Sequence, residues 1–286
     1  MNEKLKIAVQ KSGRLSEKSL EIFRECGIKI PNSSQKLRTV SSNFPVEILF
    51  LRDDDIPQYV EQNVADIGIL GENEVWEKNR NVHVVRKLGF GDCRLSLAVP
   101  KDENYTGLNY LNHKKIATSY PRILNEFCRK NQLEVEIEEI SGSVEIAPSI
   151  GLANCIFDIV SSGSTLLTNG LKEVETVAQS EAVLIKSPDL SEEKQEILNR
   201  LLFRIQAVMR SRENKYILLN APNHAVSQII SILPGMKSPT VLPLAQEGWS
   251  SIHSVITEER FWEIIDELKA LGAQGILIIP IEKMIV

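Results

Sequence analysis

One stretch constrains the architecture of this chain more than any other. Ile156, Phe157, Ile159 and Val160 form an apolar, β-prone run that passes straight into Ser161-Ser162-Gly163-Ser164-Thr165, and Leu166-Leu167 follow. A strand that closes in small hydroxyl residues around a glycine, and then opens a helix, is a βα unit with an anion pocket at its turn. Backbone N–H groups converge at the helix start, the hydroxyls add donors, and the glycine allows close backbone approach. Asp158 lies just upstream, placed for sugar hydroxyls or a magnesium ion rather than for the phosphate. The competing account of the same residues is an ordinary strand–helix turn.

The rest of the first two-thirds repeats this βα rhythm. Lys4 to Gln10 reads as a buried strand and Lys11-Ser-Gly-Arg-Leu-Ser16 as a loop; a helix with Leu20 and Phe23 on one face follows, stopped by Gly27. Val46 to Leu51 and Ala65 to Leu70 are two further strands. Lys6-Ile7-Ala8 recurs as Lys115-Ile116-Ala117, and Asp66-Ile67-x-x-x-Gly71 recurs as Asp158-Ile159-x-x-x-Gly163. The shared order suggests two similar α/β lobes. Ligands of such sheets sit beyond the carboxyl ends of the parallel strands. Two facing lobes would then bring both glycine turns, Lys11 to Arg14 and Ser119 to Arg122 onto one cleft.

After a strand at Glu181 to Ile185 comes a long amphipathic helix striped by Ile197, Leu198, Leu201, Leu202, Ile205 and Val208, with Ser191 as its N-cap. Beyond Arg212 the pattern changes to β-α-β-β-α-β. Its strands are Tyr216 to Leu219, Thr240 to Leu244, Ser251 to Ile256 and Gly275 to Ile279. One helix carries Val226, Ile229, Ile230 and Leu233 and ends at Pro234-Gly235; the other carries Phe261, Ile264, Ile265, Leu268 and Leu271, capped by Thr257 and stopped by Gly272. That order suggests a ferredoxin-like unit. It holds no acid–base pair, so it reads as regulatory or oligomerising.

Bulk composition excludes several classes. With 33 Lys and Arg against 38 Asp and Glu, the formal charge of −5 opposes general nucleic-acid binding. No apolar run is long enough to span a bilayer, and the first twenty residues carry five cations without an apolar centre, so neither a membrane span nor a secretory signal is expected. The four scattered cysteines make no C-x-x-C pair, which fits a reducing cytoplasm. A two-lobed solute receptor would need export. A transcriptional effector module would need a basic recognition helix. A P-loop kinase would need the G-x-x-x-x-G-K-[ST] signature, which is absent.

Several motifs, in order and spacing, make the chain resemble the long form of the ATP phosphoribosyltransferase family over almost its whole length. They are Gln10-Lys-Ser-Gly-Arg-Leu15, Arg52-Asp-Asp-Asp-Ile-Pro57, Asp66-Ile-Gly-Ile-Leu-Gly-Glu-Asn73, Cys93-Arg-Leu-Ser-Leu-Ala98, Ala117-Thr-Ser-Tyr-Pro121, Gly142-Ser-Val-Glu-Ile-Ala-Pro148, the hydroxyl turn and Leu242-Pro-Leu244. The resemblance implies an α/β fold with two periplasmic-binding-protein-like (type II) lobes forming a cleft. Lobe I would comprise 1–94 with 182–211 and lobe II 95–181. A ferredoxin-like (ACT-like) regulatory domain would follow at 212–286. It also implies phosphoribosyl transfer from phosphoribosyl pyrophosphate to ATP, feedback inhibition by histidine, and dimers assembling to a homohexamer in the cytoplasm. Shorter members lack the third domain and need a separate regulatory partner. This chain keeps it and is expected to act without one.

On the same resemblance, Lys11 and Arg14 neutralise the leaving pyrophosphate. Glu145, Asp158, Ser161, Ser162, Gly163, Ser164 and Thr165 hold phosphoribosyl pyrophosphate, whereas Arg52, Gly71, Glu72, Arg94 and Tyr120 serve ATP. Ser238, Thr240 and Gly275 lie at the histidine pocket. Mg²⁺ is the implied cofactor, carried mainly by substrate, with Asp158 a candidate protein ligand. Each residue has a plainer account. Lys11 and Arg14 fit a solvated loop, Arg52 a pair with the following aspartates, and Glu72 a polar hinge. Arg94 fits a structural ion pair, Tyr120 a packed aromatic, and Glu145 and Asp158 surface carboxylates. Turn and strand-start roles suit Ser238, Thr240 and Gly275. The four histidines are read as incidental, and Trp249 and Trp262 as core or interface residues.

Overall fold

The structure is a computed structural model that describes residues 3–31, 37–233 and 235–286; Pro234, expected to end a helix, lies outside the described residues. Two compact units make up the chain, Met1–Glu21 with Ile28–Ile197 and Ile22–Gly27 with Leu198–Val286. The division falls inside one long helix.

In chain order the first lobe opens with β1 (Leu5–Gln10), α1 (Arg14–Glu25), β2 (Arg38–Val40), β3 (Val46–Leu51), α2 (Ile56–Glu61), β4 (Ile67–Gly71), α3 (Glu72–Lys78) and β5 (His83–Lys87). The second lobe follows as β6 (Cys93–Pro100), β7 (Lys115–Thr118), α4 (Pro121–Lys130), β8 (Glu136–Glu139), β9 (Cys155–Val160), α5 (Ser164–Thr168) and β10 (Leu171–Ser180). The chain then returns to the first sheet as β11 (Ala182–Lys186).

The two sheets share one plan. The first has the order β2-β3-β1-β4-β11-β5 and the second β10-β6-β9-β7-β8. In each, the strand that carries Lys-Ile-Ala lies between two parallel partners: β1 between β3 and β4, β7 between β8 and β9. One side-chain lock recurs. Asp66 accepts the Lys6 N–H at 2.7 Å, and Asn154 accepts the Lys115 N–H at 2.8 Å. This corrects the match of Asp66 to Asp158. Ile67 faces Ile7 as Cys155 faces Ile116, so the counterpart of Asp66 is Asn154. A carboxamide does the carboxylate's hydrogen-bonding work, which hides the repeat in the letters. The lobes also differ where it counts: α3 starts directly after β4, whereas β9 is separated from α5 by the turn 161–163.

Two connections join the lobes, residues 88–92 on the way out and Glu181 alone on the way back. Gly89 and Gly91 adopt φ of +66° and +73° in the longer one, a backbone shape that costs glycine little. Glu181 braces the crossing. Its carbonyl accepts the Glu72 N–H at 2.9 Å and its carboxylate the Gly89 N–H at 3.1 Å.

The second unit contains most of α6 (Glu192–Glu213), then β12 (Asn214–Pro222), α7 (Val226–Ile232), β13 (Thr240–Pro243), β14 (Trp249–Thr257), α8 (Glu258–Ala270) and β15 (Gln274–Pro280). Its sheet runs β13-β14-β12-β15 with every pair antiparallel, the ferredoxin-like order. Ile217, Leu219, Ile252, Ile229, Ile264 and Leu268 close its core under α7 and α8. Thr257 caps α8 as expected, accepting the Arg260 N–H at 3.3 Å.

Candidate functional site

The hydroxyl turn hangs from a well-anchored strand. Ile156 and Val160 of β9 and Leu166 of α5 are buried in one cluster with Ala98 and Leu171, which holds both ends of the turn. Ser161, Ser162, Ser164 and Thr165 stay exposed between those anchors. Gly163 has φ of +77°, in the left-handed region where other L-residues are strained. A Cβ there would meet only Val160 Cγ1, at 3.8 Å, so backbone shape rather than crowding calls for glycine. The Ser162 and Ser164 hydroxyls lie 2.9 Å apart. An open ring of donors at the carboxyl end of a parallel strand suits a phosphate.

Asp158 is half-buried two residues before the turn, with one oxygen accepting the Ile159 N–H at 2.8 Å. Burial first, then the charge of Glu145, raises its pKa to about 6. Glu145 stands on a short 3₁₀ turn, Val144–Ile146. A carboxylate raised this way gains from a cation or sugar hydroxyls. Among the described residues no group of three or more His, Cys, Asp or Glu is arranged to hold a metal ion. Asp158 alone could supply one carboxylate to a Mg²⁺ ion, whose remaining ligands would have to come from elsewhere.

On lobe I, Lys11 and Arg14 are both exposed around Gly13, whose φ is +89°. The Lys11 N–H donates to the Leu51 carbonyl at 2.7 Å, extending the β1–β3 ladder. Arg14 is the first residue of α1, so the loop is shorter than the sequence suggested. Arg52 pairs with Asp54 at 3.2 Å yet keeps its side chain 76% exposed.

Three ATP-site candidates have structural partners within the fold. Tyr120 is 8% exposed, packed among Leu95, Ile123 and Phe157, which favours the packed aromatic over the stacking role. Burial, then the charges of Glu74 and Asp158, drives its phenol pKa strongly up. Arg94 grips Glu173 with two bonds of 2.5 Å and donates to the Ser161 carbonyl at 2.9 Å. Pairing of β6 with β9 and β10 sets it there, where it forms a structural ion pair and ties β10 to the start of the turn. Glu72 is bridged to Glu181 by Lys87, which stands 3.1 Å and 3.3 Å from the two carboxylates, and thus serves the hinge. Gly71 is where it is because an added Cβ would run into the Asn73 side chain.

In the second unit, Ser238 and Thr240 lie at the β13 edge and Gly275 in β15 at the opposite edge. Two strands separate them, about 14 Å at ~4.8 Å per strand, so one copy of the sheet does not bring them together.

Glu74, Trp76 and Glu77 on α3 carry no signal in the sequence, and Asn73 appears there only as the end of a motif. Glu74 is 6% exposed, and burial, then Asp53, raises its pKa to about 7. Asp53 and Glu74 of lobe I and Asp158 of lobe II all act electrostatically on Tyr120. Asn73 and Tyr120, each just past the carboxyl end of a parallel strand of its lobe, are hydrogen-bonded at 3.3 Å. A cavity of about 370 Å³ opens beside the turn, lined by Lys87, Cys93, Arg94, Ser161, Ser180 and Glu181 among others.

Two sheets of shared plan joined by two crossings, with a phosphate-type turn at a strand end, define a protein of the type II periplasmic-binding-protein-like class carrying an added ferredoxin-like domain. Solved structures agree. A histidine kinase sensor domain with similarity to periplasmic binding proteins matches with a TM-score of 0.51 at 10% identity, over 74% of this chain and 92% of its own. The Thermotoga maritima ATP phosphoribosyl transferase (HisG:HisZ) complex matches with a TM-score of 0.60 at 27% identity, over 71% and 98%. Residues 52–207 match the family HisG: ATP phosphoribosyltransferase, and 211–283 match the HisG C-terminal domain. The ATP phosphoribosyltransferase of Phocaeicola vulgatus is 60% identical over 98% of this chain and 99% of its own length. That of Cytophaga hutchinsonii is 56% identical over the whole of both. The chain belongs to the ATP phosphoribosyltransferase family, in its long form, and is a pentosyltransferase.

Proposed function

We propose that this enzyme transfers the phosphoribosyl group of phosphoribosyl pyrophosphate to N1 of ATP, giving phosphoribosyl-ATP and pyrophosphate in the first step of histidine biosynthesis. The observation that carries this reading is the exposed hydroxyl turn after β9, with Gly163 in the left-handed region and Asp158 beside it, in a chain of this family. The turn grips the 5′-phosphate, and Asp158 and Glu145 face the ribose hydroxyls or the substrate-borne Mg²⁺. The N1 lone pair forms the new bond to C1 as the C1–O bond to pyrophosphate breaks, with inversion. Positive charge grows on the sugar and negative charge on the leaving group.

No strong base is required, because N1 already carries its electron pair. Catalysis then rests on aligning two polyanions and neutralising the departing one. Lys11 and Arg14 suit the second task, being exposed and unpaired with any carboxylate among the described residues. Mg²⁺, when bound with the substrate, adds further charge neutralisation. The ferredoxin-like domain is the proposed seat of histidine inhibition, with Ser238, Thr240 and Gly275 as contacts. Because those positions lie at opposite sheet edges, we place contacts of both kinds on one histidine only where copies of the domain meet. We further propose a homohexamer built from dimers, acting in the cytoplasm. No helix of the described residues is long and apolar enough to cross a membrane.

The test is direct. Purified protein, ATP, phosphoribosyl pyrophosphate and Mg²⁺ are expected to yield phosphoribosyl-ATP, and histidine to suppress it. Absence of product ends the catalytic reading, whereas product insensitive to histidine ends only the regulatory one.

A further inference from the structure

Helix α3 belongs to lobe I by chain order, yet one stripe of it is built into lobe II. Asn73, Trp76 and Glu77 are three and four residues apart and so share a helical face. Asn73 is 3% exposed. Its Nδ2 donates to the Tyr120 hydroxyl at 3.3 Å, its Oδ1 accepts from Ser180 Oγ at 2.9 Å, and its N–H donates to the same Oγ at 3.0 Å. Trp76 packs against the lobe II core that contains Tyr120, Ile123 and Phe157. Glu77 accepts the Arg122 N–H at 2.9 Å and the Ile123 N–H at 3.0 Å.

The last pair of bonds is unusual in its source. A helix start commonly draws acceptors from its own N-cap side chain. The N-cap position of α4 is Tyr120, which supplies no such bond, and Pro121 has no N–H to offer. The first two amides of α4 therefore find their carboxylate in the other lobe, where its negative charge also suits the helix dipole. Since α4 follows β7, and β7 pairs with β9, the seat of α4 on α3 also sets where the hydroxyl turn stands.

We propose that Asn73, Trp76 and Glu77 are positioning residues that dock lobe II on lobe I and fix the gap across which ribose and adenine meet. This rests on the transferase reading above. The hydroxyl turn makes none of these docking contacts, so loosening the dock misaligns the reacting atoms without removing the phosphate cradle. Misplacement of about 1 Å can cost on the order of 10²-fold in rate.

The test compares Glu77→Ala and Glu77→Gln with the wild type. Glu77→Ala is expected to lower kcat roughly tenfold or more while KM for either substrate stays within about threefold. Glu77→Gln keeps one acceptor oxygen and is expected to recover part of kcat. Spin labels carried on keto amino acids at Val64 in lobe I and Ile150 in lobe II, both exposed, leave the native cysteines untouched. Their distance distribution is expected to broaden in Glu77→Ala. An unchanged kcat and distance with only a lower Tm would make Glu77 a plain helix cap and overturn the proposal. The label distances decide the docking even if the wild type makes no phosphoribosyl-ATP, an outcome that would sink the transferase reading instead.

Discussion

At Gly163 a side chain is opposed by the backbone and not by its neighbours. The left-handed conformation costs an L-residue about 1–2 kcal/mol, and a β-branched one more. Gly163→Val is therefore expected to reshape the turn, raising KM for phosphoribosyl pyrophosphate at least tenfold while KM for ATP changes little; steady-state kinetics with each substrate varied would show it. Equal effects on both would remove the turn from the phosphate role. Glu74 gives a pH prediction. Its pKa rises to about 7 in the fold, against ~4.3 in the unfolded chain. Between those values the folded state holds more protons than the unfolded, so its contribution to stability falls as pH rises through the window and returns below it. Glu74→Gln is expected to raise Tm at pH 8 and to change it much less near pH 4.5. Had the gain been the same at both pH values, the buried carboxylate would not be the source. The turn was legible because serine, threonine and glycine advertise their chemistry in the letters. Glu74 was not, because a glutamate in the first turn of a helix reads as a solvated, dipole-matching charge until burial is known.

Elements with local grammar were readable, and those defined by distant partners were not. The Thr257 cap and the Gly272 stop of α8 follow from neighbouring residues and stand where expected. Arg94 shows the opposite case. Its partner Glu173 is 79 residues away on β10, reached through the β6–β10 ladder. Ser96 Oγ adds a third bond to that carboxylate at 2.7 Å, and the Arg94 guanidinium draws the Glu173 pKa down. Arg94→Met is expected to free the Ser161 carbonyl and weaken phosphoribosyl pyrophosphate binding, leaving ATP binding near wild type, as titration calorimetry with each substrate would show. Loss of ATP binding alone would return Arg94 to the nucleotide site. Helix α3 is a like case, since nothing in the letters of Trp76 or Glu77 names the distant residues each touches. Its role exists only once β4 and β7 have placed two helix starts side by side.

Across the whole molecule, the duplicated lobe plan was visible in order but misaligned in detail. Lys6-Ile-Ala and Lys115-Ile-Ala mark equivalent strands, whereas Asp158 lies four positions from Asn154, the residue that repeats the lock. Asn154 for Asp66 conserves a bond and changes a letter. Lobe I keeps the charged version, and Lys194 neutralises it at 2.9 Å. The ferredoxin-like order was legible because its strand and helix sequence is nearly unique to that topology. Sedimentation equilibrium is expected to give six times the 32.1 kDa chain mass; a monomer unaffected by histidine would contradict the proposed assembly. The two links between the lobes also set how the family can vary in length. Residues added between β5 and β6 can bulge outward, but the return passes through Glu181 alone. One extra residue there would slide β11 a step along β4 and turn every side chain of that strand to the opposite face. Natural insertions should accordingly be found in the outgoing link and not in the return.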